Sequence, residues 1–157
     1  MKIIDFPFST MNDHFTNILM TELATKLGMN RLSFDEEGNC FLLVDNSLPV
    51  ILRRQEEHLV IICQIDMVLP DSADADTLRY LLNTALNPLN NRLPGIGWHQ
   101  ELGVVAYKIL PLLHLTANKL EHELSEFITW ANKFPSSLSQ KSTLQSSYDR
   151  RMIYDRI

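Results

Sequence analysis

The chain has 157 residues, of which 45% are hydrophobic and 21% charged, with a formal net charge of −5. That length supports a single domain with a sizeable core, since a chain near this size buries roughly 68–70% of its unfolded surface, and the composition is that of an ordinary globular protein. From Pro135 onward the charge is +2, so residues 1–134 carry −7 (−5 less +2); an acidic body repels phosphate backbones, which argues against a nucleic-acid partner.

The N-terminal MKIIDFPFS has no long apolar run of the kind a secretory signal needs. No stretch of the sequence is long and apolar enough to span a bilayer, so a cytosolic protein without membrane insertion is expected. Phe6-Pro7-Phe8 reads as an extended, sticky arm. Thr10 to Leu27 then reads as an amphipathic helix, capped by Ser9 or Thr10 and with Asp13 in its first turn, where negative charge is favoured. Phe15, Ile18, Leu19, Leu23 and Leu27 recur three and four apart as one apolar stripe. Gly28 stands where a left-handed C-terminal cap is wanted.

Strand signals follow. Leu32-Ser33-Phe34 is a short strand, Glu36 to Asn39 a turn, Cys40 to Val44 a second strand, Asn46-Ser47 another turn, and Pro49 to Leu52 a third strand. After the polar Arg53 to Glu57, Leu59-Val60-Ile61-Ile62-Cys63 is β-branched and without alternation, which predicts a strand covered on both faces. Cys40 and Cys63 are the only cysteines. Both lie in apolar runs, so they read as small buried hydrophobes with reduced thiols, and no CxxC or zinc spacing is present.

Pro70 to Asp76 is a break in which Asp71-Ser72 or Asp74 can cap a second helix, Thr77 to Leu86, ended by Pro88, Pro94, Gly95 and Gly97. Ile96 to His99 and Val104 to Leu110 pair across a hairpin at Gln100 to Gly103. Thr116 caps a third helix to about Lys133, with Leu120, Leu124, Phe127, Ile128 and Ala131 on one face, Trp130 on the flank and Pro135 as its stop. Residues 135–157 are rich in Ser and Gln with few apolar anchors, and read as a flexible tail. The order α-β-β-β-α-β-β-α predicts an α+β domain over 1–134, with an antiparallel twisted sheet and three helices.

Chemistry is sparse along this chain. The five histidines, His14, His58, His99, His114 and His122, include no i, i+4 pair and no HExxH. His122 sits between Glu121 and Glu123 and reads as part of a solvated face. There is no GxSxG elbow. Gly95-Ile96-Gly97 has no helix after it, so it reads as a strand entry rather than a phosphate loop. Asp35 to Asn39 lacks the alternating ligands and distant glutamate of a calcium loop, and reads as a turn. No catalytic residue, metal or cofactor is indicated. A small α+β enzyme using His99 or His114 beside an acid stays open as an alternative, as does a peptide-binding adaptor.

One ordered set of residues goes further. Leu27-Gly28, Leu32, Phe34-Asp35, Gly38, Cys40, Leu42 and Asp45 follow the pattern LG-x(3)-L-x-FD-x(2)-G-x-C-x-L-x(2)-D, which resembles that of the type III secretion chaperones, the Tir-chaperone or CesT-like family. Downstream, Leu81-Leu82 with Ala85-Leu86-Asn87, then Val105-Ala106-Tyr107 and Leu110-Pro111-Leu112, and Trp130 near the last helix's end, extend the resemblance over about Thr10 to Phe134. The resemblance implies a non-enzymatic, cytoplasmic bacterial homodimer without cofactor. It would hold the N-terminal segment of one or more secreted effectors extended and export-competent, with the secretion ATPase as a further partner. The expected effector-binding residues are Phe8, Met11, Phe15, Ile18, Leu42, Val44 and Ile51, forming grooves beside a strand edge. The expected dimer interface is Leu78, Leu82, Leu86, Leu89, Ile96 and Trp98, one self-complementary patch.

Overall fold

The computed structural model describes residues 8–45, 48–65, 75–90 and 93–154, with side chains described between residues 14 and 136. Helix α1 (Phe8–Lys26) is followed by β1 (Asn39–Val44), β2 (Leu48–Gln55) and β3 (His58–Gln64). Then come α2 (Ala75–Ala85), the short α3 (Asn87–Asn90), β4 (Gly95–His99), β5 (Gly103–Pro111) and the long α4 (Ala117–Tyr154). The strands form one sheet in the order β1-β2-β3-β5-β4, antiparallel throughout. This is the expected α+β architecture, with one helix more, because Asn87–Asn90 makes a helical turn in the proline-rich linker.

The local rules that shape the chain are visible at the element ends. Helix α1 ends in a Schellman motif: Met29 N–H donates to Ala24 O at 2.9 Å and Gly28 N–H to Thr25 O at 3.3 Å, with Gly28 at φ +66°. In the next turn Asp35 Oδ1 accepts the N–H groups of Glu37 (3.0 Å) and Asn39 (2.8 Å), so a single side chain replaces two backbone partners. Gly38 sits at φ +78°, and a Cβ there would lie 3.3 Å from Arg54 O. Asp45 takes φ +50° beside the β1–β2 connection, whose Asn46 and Ser47 lie outside the described residues. Thr116 Oγ1 accepts the N–H of Lys119 at 3.3 Å and caps α4 as expected.

One face of the sheet is the core. The row Leu42–Val50–Cys63–Ala106–Ile96 crosses all five strands and is buried throughout. Leu19, Met20, Leu23 and Ala24 of α1 and Leu120, Leu124, Phe127 and Ala131 of α4 complete the same cluster. Lys26 and Glu121 join the two helices across 3.3 Å.

Several expectations are corrected. Leu32-Ser33-Phe34 is not a strand; Leu32 is buried and Phe34 half-buried against the core, so this apolar pair serves packing rather than pairing. Helix α1 begins at Phe8, which places Asp13 beyond its first turn. Its apolar residues do not form one stripe: Leu19 and Leu23 face the core, while Phe15, Ile18 and Leu27 are exposed. Strand β3 buries Leu59, Ile61 and Cys63 in the core cluster, but Val60 lies outside that cluster and Ile62 is half-buried, so its second face is shielded only in part. Helix α4 does not stop at Pro135 but runs through it to Tyr154. Proline's fixed φ is compatible with a helix, and what it costs is one backbone hydrogen bond and room near the preceding turn. The caps assigned to Asp71-Ser72 or Asp74 lie outside the described residues, and α2 starts at Ala75.

Candidate functional site: two apolar surfaces and a cleft

The sheet's second face carries the neighbouring row, Phe41–Ile51–Ile62–Tyr107–Gly95. Successive residues of a strand point to opposite faces, so this row stands one residue out of phase with the core row. Phe41 is 66% exposed, and Leu43 beside it 60%. Ile51 and Ile62 are half-buried, and Ile109, opposite Val60 on β5, is exposed. The result is an apolar strip running inward from β1. Strand β1 is an edge: it pairs with β2 alone in the sheet order, which leaves backbone donors and acceptors on its outer side available to an added strand.

A second apolar surface is built on α2. Leu81 and Thr84 point inward, while Leu78, Leu82, Leu86 and Leu89 recur down the outer side of α2 and α3. Leu82 is 69% and Leu89 81% exposed, with Trp98 of β4 also exposed. Four leucines and a tryptophan thus keep about half or more of their surface open in the protomer, and exposed apolar patches of this kind mark interaction sites.

The third feature is a cleft of about 740 Å³ between α4 and the chain entering β4, lined by Leu93, Pro94, Lys108, Glu123, Phe127 and Trp130 among others. Lys108 belongs to the core face of β5, in register with Ile61, and its ammonium pairs with Glu123 Oε2 at 2.5 Å. An ion pair so little exposed ties β5 to α4 in a fixed register more than it adds net stability. Tyr80 of α2 stacks on Phe134 at 6.1 Å, and Phe134 on Trp130 at 5.0 Å, closing the same side of α4. The cleft is lined by His122, not by His99 or His114. His99 Nδ1 instead accepts the backbone N–H of Glu101 at 3.2 Å in the β4–β5 turn. Among the described residues no group of three or more His, Cys, Asp or Glu side chains is placed to hold a metal ion.

The expected effector-binding residues scatter over these regions. Phe15 and Ile18 are exposed on α1. Phe8 and Met11 belong to α1, but their side chains lie outside the described residues. Ile51 lies half-buried in the open row, and Val44 is half-buried against the core. Leu42 is 5% exposed in the core row and presents no surface. Of the expected dimer residues, Leu78, Leu82, Leu86, Leu89 and Trp98 are exposed, whereas Ile96 is 5% exposed within the core row. For Leu42 the cause is strand parity, which turns its side chain to the core face; Ile96 has the parity of the exposed Trp98, and its burial comes from its place in the core row beside Ala106. Phe41, Leu43 and Ile109 were the residues missed. Reading Cys40 as buried was enough to find the first two, because a buried residue 40 turns 41 and 43 outward.

Both thiols are sealed in the core. Burial pushes the Cys63 thiol up to about 11. Burial also raises that of Cys40, partly opposed by a hydrogen bond to the Ser33 backbone and reinforced by the charge of Asp35. Neither is a nucleophile at neutral pH.

A single antiparallel sheet with α1 and α4 on one face and an apolar strip on the other makes a protein-binding α+β fold. The chain belongs to the Tir chaperone protein (CesT) family, whose model matches residues 18–134. Among solved structures it is similar to a chain of the HopA1–SchA chaperone–effector complex, at 27% identity and a TM-score of 0.68 over 80% of this chain and 97% of that one. It is also similar to a chain of the ExsC–ExsE complex, at 25% identity and a TM-score of 0.68 over 80% of this chain and 95% of that one. The type III secretion chaperone SycH of Yersinia pestis, in complex with a stable fragment of YscM2, shares the fold at 19% identity and a TM-score of 0.60, over 73% of this chain and 95% of that structure's chain. No curated protein matches the sequence.

Proposed function

We propose that this chain is a non-enzymatic type III secretion chaperone. It binds the N-terminal segment of one or more secreted effectors in extended form and keeps them export-competent in the bacterial cytoplasm. The observation that carries this is the open apolar row beginning at Phe41 on an edge strand that, among the described residues, pairs with β2 alone, in a member of the CesT family. An extended segment laid against β1 gains main-chain hydrogen bonds, and every second side chain turns towards the strip containing Phe41, Leu43 and Ile51. Phe15 and Ile18 on α1 offer a second apolar contact for a chain wrapping round the protomer.

The protein acts as a homodimer in this reading. Leu78, Leu82, Leu86, Leu89 and Trp98 form a self-complementary patch, which a twofold axis buries twice over. Residues 1–134 are the chaperone domain, with 135–157 an appended segment, and contact with the secretion ATPase belongs to the same proposal. Among the described residues no helix is long and apolar enough to cross a membrane.

The test is co-purification of the tagged chain from its own host, with bound proteins identified by mass spectrometry. The expected result is a secreted protein held through its N-terminal segment, with binding reproduced by that segment alone. Recovery only of proteins that are never exported would replace the chaperone reading with an adaptor outside secretion.

A further inference from the structure

Helices α2 and α3 and strand β4 supply the proposed self-association surface from separate parts of the chain, so something must seat one against the other. Three contacts do so at a single corner. Tyr107 Oη, from β5, donates to the carbonyl of Ala85, the last residue of α2, at 3.1 Å. The final carbonyls of a helix have no partner within it, so this side chain acts as a cap supplied by the sheet. Asn87 Nδ2 donates to Pro94 O at 3.1 Å, tying α3 to the residue just before β4. Gly95 lies between the Tyr107 ring and Pro88: a Cβ there would stand 2.7 Å from Tyr107 Cζ and 2.9 Å from Pro88 Cγ and Cδ. Gly95 has an ordinary φ, so glycine is required here for space and not for backbone conformation.

We infer that Tyr107 and Gly95 are positioning residues of the self-association surface, seating α2 and α3 against the sheet so that their outward leucines can meet a second copy of this chain. This rests on the homodimer reading above. The tyrosine lies in the open row of the sheet, in register with Ile62 and Gly95, so the same ring closes the inner end of the ligand strip and fixes the helical corner. A methyl at Gly95 pushes Pro88 or Tyr107 outward and tilts the corner, and loss of the Tyr107 hydroxyl frees the end of α2.

Sedimentation equilibrium on the full chain tests the inference through two variants and one reference. Leu82→Glu places a charge in the middle of the leucine patch and is expected to give a monomer. Tyr107→Phe keeps the ring and is expected to weaken the dimer roughly fivefold, the scale of one lost hydrogen bond. Gly95→Ala is expected to weaken it roughly thirtyfold, the scale of an overpacked site. Thermal melting of Leu82→Glu with and without Tyr107→Phe reads the cost inside the protomer. A lower melting temperature in that monomer with an unchanged dimer constant makes Tyr107 merely structural and overturns the inference. Should Gly95→Ala fail to fold, Tyr107→Phe decides. A Leu82→Glu chain that still dimerises, or a wild-type chain that never does, overturns the α2 surface itself and this inference with it. A monomeric Leu82→Glu beside a Tyr107→Phe dimer of full strength overturns the seating role alone.

Discussion

Two adjacent rows cross the same five strands. Leu42, Val50, Cys63, Ala106 and Ile96 lie beneath α1 and α4, all buried; one residue out of phase, Phe41, Ile51, Ile62, Tyr107 and Gly95 begin exposed at the β1 edge and become covered only where α3 and Tyr107 close over Gly95. The rows are alike in hydrophobicity, yet only the first is accounted for by the stability of the protomer. Burial of a large apolar side chain contributes about 1.5–3 kcal/mol, and Phe41 and Leu43 collect little of it. Their apolar character therefore points to a partner. The gradient along the second row also divides the open face into a free end at β1 and a closed end under the α2–α3 corner.

The contrast between the rows is broken most severely in the covered one. Leu52→Ala, beneath the helices in register with Cys40 and Ile61, is expected to cost about 3 kcal/mol in urea unfolding, from lost burial plus a cavity. Phe41→Ala is expected to change stability by under about 0.5 kcal/mol. A Phe41→Ala loss comparable with that of Leu52→Ala would show the open row to be core. The same Phe41→Ala variant is expected to weaken binding of the effector segment about tenfold, the loss of one exposed aromatic anchor; titration calorimetry with the co-purified segment reads this directly. Asp35→Ala removes the side-chain oxygen that accepts two backbone N–H groups in the turn before β1, and about 1 kcal/mol of stability is expected to go with it in the same urea assay.

The smallest effect concerns Cys63 in the covered row. Its folded-state value of about 11 lies above the ordinary 9.0, so between these the folded chain keeps a proton that the unfolded chain has lost. Its contribution is full below pH 9 and is lost as pH rises towards 11. Cys63→Ala should flatten that part of the stability–pH curve relative to wild type. An equal slope in both proteins would assign the alkaline loss to other groups.

Much of the fold was legible because local rules act through few residues. The glycine cap after α1, the Asp35 turn, the Thr116 cap and the four-residue recurrence of Leu120, Leu124, Phe127 and Ala131 each have a mechanism confined to one or two turns. The leucines of α2 were legible as a group, since Leu78, Leu82 and Leu86 share one helical face. In Cys40 to Val44 every residue is apolar and alternation gives no signal, so the only mark of parity is Cys40 itself, whose burial turns Phe41 outward and Leu42 inward. Ile96 shares parity with Trp98, yet the first lies over the core and the second beyond it, which no two-residue rule distinguishes. Helix α1 is apolar on both sides, so its stripe could not be phased without the sheet.

The sequence by itself determined the α+β class, the glycine cap after α1, the Asp35 turn, the Thr116 cap, and the motif that places the chain among the secretion chaperones, because these depend on short-range backbone geometry and on residue identity at fixed spacing. Only the tertiary structure decided which apolar face is core and which is left for a partner, that Leu32 to Phe34 packs without pairing, that Lys108 meets Glu123, and that Tyr107 reaches the end of α2. Those outcomes depend on which surfaces meet once the strands are in register, and contacts between residues far apart in the chain leave no periodic trace in it.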